Sequence, residues 1–166
     1  MRNKTRSTVY GALIAALYVV MTHLQNMIFP DSASMAIQFR ASEALCVLAF
    51  FTPAAIPGLT VGCFLFNMTS GAALPLDFLV GSIATAGAAT CMWKSRNLTI
   101  KGYPLLGLFM PAVWNAVLVG KELSIYVGGV FLLNAILVAI GELGVLLSLG
   151  TLVYYAVKSR RQHLKL

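Results

Sequence analysis

Carboxylate and amide side chains stand inside otherwise apolar stretches of this sequence, and their chemistry needs an explanation. Glu142 lies within the apolar run 138–143, and Asn134 precedes it by two helical turns on nearly the same face. Asn115 lies in another apolar stretch, beside Trp114. An ionised group inside hydrocarbon is costly, so such residues indicate a binding site by default. A structural hydrogen bond between helices, or a protonated carboxyl, is the alternative for Glu142.

Trp114 and Asn115 together match a flat ligand that has hydrogen-bonding edges. An indole stacks on a planar ring, and an amide can pair with the edge of a base. Alone, Trp114 is also explained as an anchor at the membrane surface.

A second group of polar residues is expected near the outer surface. Asp77 opens an apolar stretch, where a carboxylate also stabilises the N-terminus of a helix. Arg40 and Glu43 are three residues apart, so they can pair with each other. Glu122, next to Lys121, is interpreted as a solvated loop charge or as a partner of that lysine. The sequence predicts one cavity open to the outside, which favours a cationic or hydrogen-bond-donating ligand.

Motifs for catalysis are absent from the sequence. It contains no P-loop, no H-E-x-x-H and no G-x-S-x-G, and neither histidine has a ligand partner at helical spacing. We therefore predict no catalytic residue, no metal site and no cofactor.

The elements that position these polar residues are predicted to be membrane-spanning helices. Of 166 residues, 59% are hydrophobic and 10% are charged, whereas soluble domains have about 45–50% and about 25%. This composition excludes an ordinary cytosolic enzyme, a disordered chain and a secreted disulfide scaffold. The three cysteines lie in apolar runs and are predicted to be buried small residues. The prediction is an all-α integral membrane protein, with residues 1–166 as a single transmembrane domain.

Six apolar segments can be drawn: Thr8–Phe29, Ser42–Phe51, Ala54–Thr69, Leu76–Trp93, Tyr103–Gly120 and Ser124–Val157. The second and third are short for a bilayer span, which predicts tilted, re-entrant or neighbour-buried helices. The sixth is too long, so its first turns are expected in an outer loop around Gly128. Six crossings place the clusters of Lys and Arg on one side, which the positive-inside rule assigns to the cytoplasm. We predict a six-helix bundle with both termini cytoplasmic, and no nucleic-acid partner.

Small residues on the first helix form pairs at a spacing of four residues. The pairs are Gly11 with Ala15, and Ala12 with Ala16. Small residues one turn apart let another helix approach closely. The pattern predicts either packing inside the bundle or contact with a partner subunit.

The runs 38–45 and 51–59 resemble the QueT-type queuosine-precursor transporters, which are substrate-binding S components of energy-coupling-factor (ECF) transporters. The resemblance continues at Leu76–Asp77, Gly81–Ser82, Asn134 and Gly141–Glu142. It implies a six-helix S component in the bacterial plasma membrane that binds a 7-deazaguanine, with the aminomethyl form expected. It also implies a complex with one transmembrane coupling subunit and two ATPase subunits.

The resemblance implies roles for particular residues as well. The family's A-x-x-x-A contact motif falls on Ala12 and Ala16, and Gly11 and Ala15 share that helix. S components bind their ligand near the outer surface, which implies a pocket formed by Asp77, Trp114, Asn115, Asn134 and Glu142. Gln38, Arg40 and Glu43 are expected near its lid.

Two other functions stay open at this point. One is an S component for another vitamin. The other is a non-transporting membrane subunit whose polar residues only hold helices together. A membrane-embedded enzyme is a third possibility, and the lack of any catalytic pair disfavours it.

Overall fold

The computed structural model describes residues 2–30, 32, 37, 39–71 and 73–164, and the regular structure within these ranges is helical. The elements are α1 (Arg2–Ile28), a 3₁₀ helix (Ala41–Phe50), α2 (Ala55–Thr69), α3 (Asp77–Ser95), α4 (Leu105–Leu108), α5 (Met110–Tyr126), α6 (Phe131–Val145), a π-helical turn (Leu146–Gly150) and α7 (Thr151–Leu164). The last three follow one another without a break and form a single rod. The prediction of an all-helical chain is confirmed.

Three helical stretches are long and apolar enough to cross a membrane, namely Lys4–Ile28, Leu105–Tyr126 and Phe131–Arg160. The 3₁₀ helix and α2 are apolar but shorter. The α5 helix ends at Tyr126, beyond Gly120, where the fifth predicted segment ends. The expected turn around Gly128 is confirmed, and its φ of +96° is one that glycine adopts without strain.

The 3₁₀ helix is the central element of the bundle. It packs against α1, α2, α3, α6, the π-helical turn and α7. Its buried residues are Ser42, Glu43, Ala44, Leu45, Cys46, Val47, Ala49 and Phe50. At a rise of about 2 Å per residue, this helix is shorter than the hydrocarbon layer of about 30 Å. Of the three predicted arrangements for the short second segment, burial by neighbouring helices is confirmed.

Around this element, neighbouring helices approach one another closely at glycines. A Cβ atom on Gly58 of α2 would lie 2.6 Å from the carbonyl oxygen of Gly11 in α1. Corresponding close approaches join Gly81 to Asn67, Gly87 to Trp114 and Gly120 to Ala135. Such contacts hold helices together by packing, which lipid surroundings do not weaken.

A cluster of aromatic rings occupies one end of the bundle. Tyr154 of α7 packs edge-on against Phe50 and Tyr103, with ring centroids 6.0 and 5.2 Å apart. Its ring also lies 5.3 Å from Phe51, and Tyr155 stacks on Tyr103. The cluster joins α7 to the end of the 3₁₀ helix and to the turn before α4.

The first turns of α1 and the start of α2 lie at this same end. Gly11 lies against Ala54, which directly precedes α2. The Lys158 ammonium donates a hydrogen bond of 3.0 Å to the carbonyl oxygen of Gly102. We call this the basic end, because its segments carry Lys4, Lys94, Lys101 and Lys158. The opposite end, where α1, α2 and α5 finish and the 3₁₀ helix, α3 and α6 begin, is called the polar end.

Candidate functional site

Four of the five acidic residues of this chain are buried inside the bundle, between 2% and 4% exposed. They are Glu43, Asp77, Glu122 and Glu142. Among the described residues, one basic side chain, Arg40, is buried with them. Buried charges are unfavourable unless they are paired and hydrogen-bonded. This acidic interior is the candidate functional site.

Polar side chains on the inner face of α1 fix the start of the 3₁₀ helix. The Tyr18 hydroxyl donates a hydrogen bond of 2.5 Å to Oε1 of Glu43. The Thr22 hydroxyl is 2.6 Å from the hydroxyl of Ser42. Gln25 accepts a 2.6 Å hydrogen bond from the first backbone N–H of the 3₁₀ helix. These three side chains are four and three residues apart, so they share one helical face.

Glu43 is hydrogen-bonded through both carboxyl oxygens. Its Oε2 accepts from the thiol of Cys46 at 3.0 Å, in addition to the Tyr18 bond at Oε1. Residues three apart are eclipsed in a 3₁₀ helix, which places Cys46 beside Glu43. Cys46 and Cys63 are buried as predicted, and Cys91 is half-buried.

Arg40 is the cation of this interior. Its guanidinium lies 5.5 Å from the centre of the Phe66 ring, and Nη1 is 3.8 Å from the sulfur of Cys63. Arg40 directly precedes the 3₁₀ helix that carries Glu43, and both side chains are buried. A direct ion pair between them stays a prediction.

The structure brings Glu142 and Asn115 together in a hydrogen bond between helices, which is the alternative that the sequence left open for Glu142. The Asn115 amide donates a 2.7 Å hydrogen bond from α5 to Oε1 of Glu142 on α6. Within the described part of the chain, Oε2 of Glu142 is buried and has no hydrogen-bond partner. The carboxyl of Glu43 is also close enough to act on it. This pair therefore keeps one buried acceptor oxygen without a partner.

Asp77 is the first residue of α3, and one of its carboxyl oxygens accepts a hydrogen bond from the turn before that helix. Oδ2 accepts from the backbone N–H of Leu74 at 2.7 Å. The Asp77 carbonyl oxygen accepts from the amide of Asn67 on α2 at 2.9 Å. The expected position of Asp77 at a helix N-terminus is thus confirmed, and the hydrogen bond from Leu74 fixes its carboxyl at the polar end.

The interpretation of Glu122 as a solvated loop charge is wrong. The α5 helix continues to Tyr126, so Glu122 lies on a helix and not in a loop. Its side chain is buried, while that of Lys121 is exposed. Adjacent helical residues are about 100° apart around the axis, which explains their opposite environments.

Asn134 and Trp114 are held by contacts away from Glu142. The Asn134 amide donates to Ser124 at 3.1 Å and to the carbonyl of Gly128 at 2.9 Å, which fixes the turn between α5 and α6. The half-buried indole of Trp114 packs against Gly87 of α3. Gln38 lies outside the described residues.

The small residues of α1 divide between two faces. Gly11 and Ala15 are buried against Gly58 and Gly62 of α2, so this pair serves packing inside the bundle. Ala12 and Ala16 are exposed.

Sequence reasoning missed Tyr18 and Thr22 as members of this interior, and it placed Glu122 among the outer polar residues but in a loop. For Glu122 a signal exists, because Ala112, Asn115, Val119 and Glu122 recur at spacings of three and four residues. All four are buried. The same periodicity joins Tyr18 and Thr22 to the small residues Gly11 and Ala15.

The arrangement is suited to binding a donor-rich, cationic molecule. Ionised carboxylates only accept hydrogen bonds, and they pair strongly with cations. Across the part of the chain that the structure describes, no group of three or more His, Cys, Asp or Glu side chains could hold a metal ion.

Comparison with known proteins finds relatives of this chain. A family model described as "QueT transporter" matches residues 8–159. A protein of Lactococcus lactis subsp. cremoris (strain MG1363), named "Queuosine precursor transporter QueT", is 36% identical over 85 residues. That alignment covers 51% of this chain and 47% of the relative, so the chain spans about half the length of the relative it matches. No solved structure matches.

Proposed function

Because this chain belongs to the QueT transporter family, we propose that it is the S component of an ECF importer and captures a queuosine precursor from outside the cell. The proposed ligand is a 7-deazaguanine, in its aminomethyl form. The name of the relative from Lactococcus lactis supports a precursor of this class.

The acidic interior is the observation that carries this proposal. In the described chain, four carboxyl groups and one guanidinium are buried. The interior is therefore short of positive charge and hydrogen-bond donors. A deazaguanine supplies ring N–H and amino donors. Its aminomethyl group is cationic at neutral pH and forms charge-assisted hydrogen bonds with carboxylates.

Glu142 and Asn115 are the proposed readers of the ring. Oε2 of Glu142 is open for ring donors, while Asn115 holds Oε1 in place. Arg40 and Glu43, which are buried in the same interior, complete this part of the proposed pocket. Trp114, Asn134 and Gln38 stay in the proposal as further residues that line the pocket.

We place the basic end in the cytoplasm, following the positive-inside rule. The proposed topology has six crossings, with both termini cytoplasmic and the polar end facing the outside. In this orientation the ligand enters the acidic interior directly from the polar end. All six helical rods form one transmembrane domain in this proposal.

Energy for transport is proposed to come from partner subunits. The sequence contains no P-loop, so ATP hydrolysis is assigned to two ATPase subunits acting through a coupling subunit. Exposed Ala12 and Ala16 are the proposed contact with the coupling subunit. A groove of about 590 Å³ beside them is lined by Lys4, Ser7, Thr8, Gly11, Ala12, Ala15, Pro57, Gly58 and Val61.

Titration calorimetry of the purified chain with 7-aminomethyl-7-deazaguanine tests the binding site. We expect Glu142→Gln to weaken binding at least tenfold, about 1.4 kcal/mol, because it removes the charge and one acceptor. Ser148→Ala, on an exposed face of the same rod, is the control and should bind as the wild type. Unchanged affinity in Glu142→Gln would remove Glu142 from the site.

Uptake into liposomes tests the coupling. The complex with its coupling and ATPase subunits should concentrate the ligand when ATP is supplied, and the chain alone should not. Ala12→Trp should abolish uptake while ligand affinity stays unchanged, because the bulky ring blocks close helix approach. Ile83→Trp, on an exposed face of α3, is the control. Concentrative uptake by the chain alone would contradict the proposed coupling.

A further inference from the structure

Glu122 and Asp77 form a second carboxyl pair, distinct from Glu142 and Asn115. Glu122 lies near the end of α5, and Asp77 is the first residue of the neighbouring helix α3. Both side chains are buried where the start of α3 packs against the end of α5, and the two carboxyl groups lie close enough for their charges to interact. The pair lies at the polar end, where the proposed ligand enters.

The Glu122 carboxyl is buried and poorly hydrogen-bonded. Its side chain is 3% exposed, and among the described residues neither oxygen makes a hydrogen bond of normal geometry, while the Asp77 carboxyl and the backbone N–H of Leu76 are its nearest polar groups. A buried carboxylate in this state is strongly unfavourable. Two neighbouring carboxylates in a poorly solvated site do not both stay ionised unless positive charge joins them. The pair therefore needs one unit of positive charge, carried by a proton or by a ligand.

Resting on the proposed function, we infer that the Glu122–Asp77 pair is the subsite for a primary ammonium group of the substrate and selects for substrates that carry one. An ammonium group has three donors, which two carboxyl groups can share. Ca²⁺ prefers six or more oxygen ligands, and two carboxyl groups do not supply that many. Glu142 is less suited to this role, because the Asn115 amide already donates a hydrogen bond to one of its two carboxyl oxygens.

The inference assigns separate tasks to the two pairs. Glu142 and Asn115 bind the ring, which all 7-deazaguanines share. Glu122 and Asp77 bind the substituent, which differs between precursors. Selectivity for the aminomethyl form over an uncharged form then depends on Glu122, a residue outside the predicted pocket.

The test compares two ligands on three proteins by titration calorimetry. The ligands are 7-aminomethyl-7-deazaguanine and 7-cyano-7-deazaguanine, which lacks the ammonium group. The proteins are the wild type, Glu122→Gln and the control Lys121→Gln, whose side chain lies on the exposed face of α5. We expect Glu122→Gln to weaken binding of the amine at least tenfold and to leave binding of the nitrile within twofold. Lys121→Gln should change neither affinity.

Retained nitrile binding also shows that the variant is folded. If Glu122→Gln binds neither ligand, Asp77→Asn replaces it in the same comparison, with the same expected loss of the amine alone. An equal loss for both ligands in Asp77→Asn, or no loss for the amine in Glu122→Gln, would overturn the subsite while the proposed function stands. Binding of neither ligand by the wild type would overturn the proposed function, and the subsite with it.

Discussion

The polar end and the basic end of this bundle are stabilised by different interactions. At the polar end, hydroxyl, thiol and amide groups hold carboxylates in place, as Tyr18 and Cys46 hold Glu43. At the basic end, rings pack around Tyr154, and helices meet at Gly58. Packing contacts of this kind leave no polar group in need of a partner.

In our proposal, this difference separates the residues that bind the ligand from those that stabilise the bundle. Buried carboxyl oxygens of Glu142 and Glu122 make no hydrogen bond of normal geometry among the described residues, and these are the acceptors that we propose the ligand to satisfy. At the basic end, the rings around Tyr154 are already packed against one another. Substitutions at the basic end should therefore change stability alone, whereas those at the polar end should change ligand affinity as well.

The largest expected effect on stability is at the basic end. Tyr154→Ala removes the ring that contacts Phe50, Phe51 and Tyr103. It should lower the free energy of unfolding by about 3–5 kcal/mol, as for other buried aromatic side chains. Unfolding in detergent measures the loss, and calorimetry should show ligand affinity within twofold of the wild type. A parallel loss of affinity would break the separation between the two ends.

A smaller effect is expected at the polar end, on both quantities. Tyr18→Phe keeps the ring but removes the donor to Glu43, which should cost about 1.5–3 kcal/mol, as for a hydrogen bond to a charged group. Ligand affinity should also fall, because Glu43 loses a group that orients it. Tyr155→Phe is the control, since its ring is exposed and stacked on Tyr103. Equal behaviour of the two variants in unfolding and calorimetry would contradict the account.

The smallest of the three effects on stability is expected where α1 packs against α2. Gly58→Ala places a methyl group 2.6 Å from the Gly11 carbonyl oxygen, and overpacking of this kind costs about 1–3 kcal/mol. Gly71→Ala, which meets nothing within 4 Å, is the matched control. Thermal unfolding should separate the two variants, and affinity should not. Equal stability would show that the α1–α2 contact tolerates extra volume.

Much of the helical fold follows from apolar segment length and from turn residues. The α2 helix begins one residue after its predicted start and ends at the predicted residue. The 3₁₀ form of Ala41–Phe50 has no local signal, because neighbours on every side determine it. The end of α5 was misplaced because the polar pair Lys121–Glu122 resembles a loop when its helical periodicity is not considered.

The site was predictable where a polar residue interrupts an apolar run, as at Glu142. The buried face of α1 was not predictable, because two of its faces carry small residues at the same spacing. Gly11 with Ala15 and Ala12 with Ala16 have the same spacing, yet one pair is buried and the other exposed. Which pair faces inward depends on the position of α2, and that is a tertiary property.

A thermal-unfolding screen of the purified chain against 7-deazaguanines, guanine and common vitamins tests whether the chain binds a queuosine precursor. A ligand present at a hundred times its dissociation constant adds about 2.7 kcal/mol of stability, which such a screen detects. We expect stabilisation by 7-aminomethyl-7-deazaguanine and not by the vitamins. No stabilisation by any 7-deazaguanine in a monodisperse sample would contradict the proposed function.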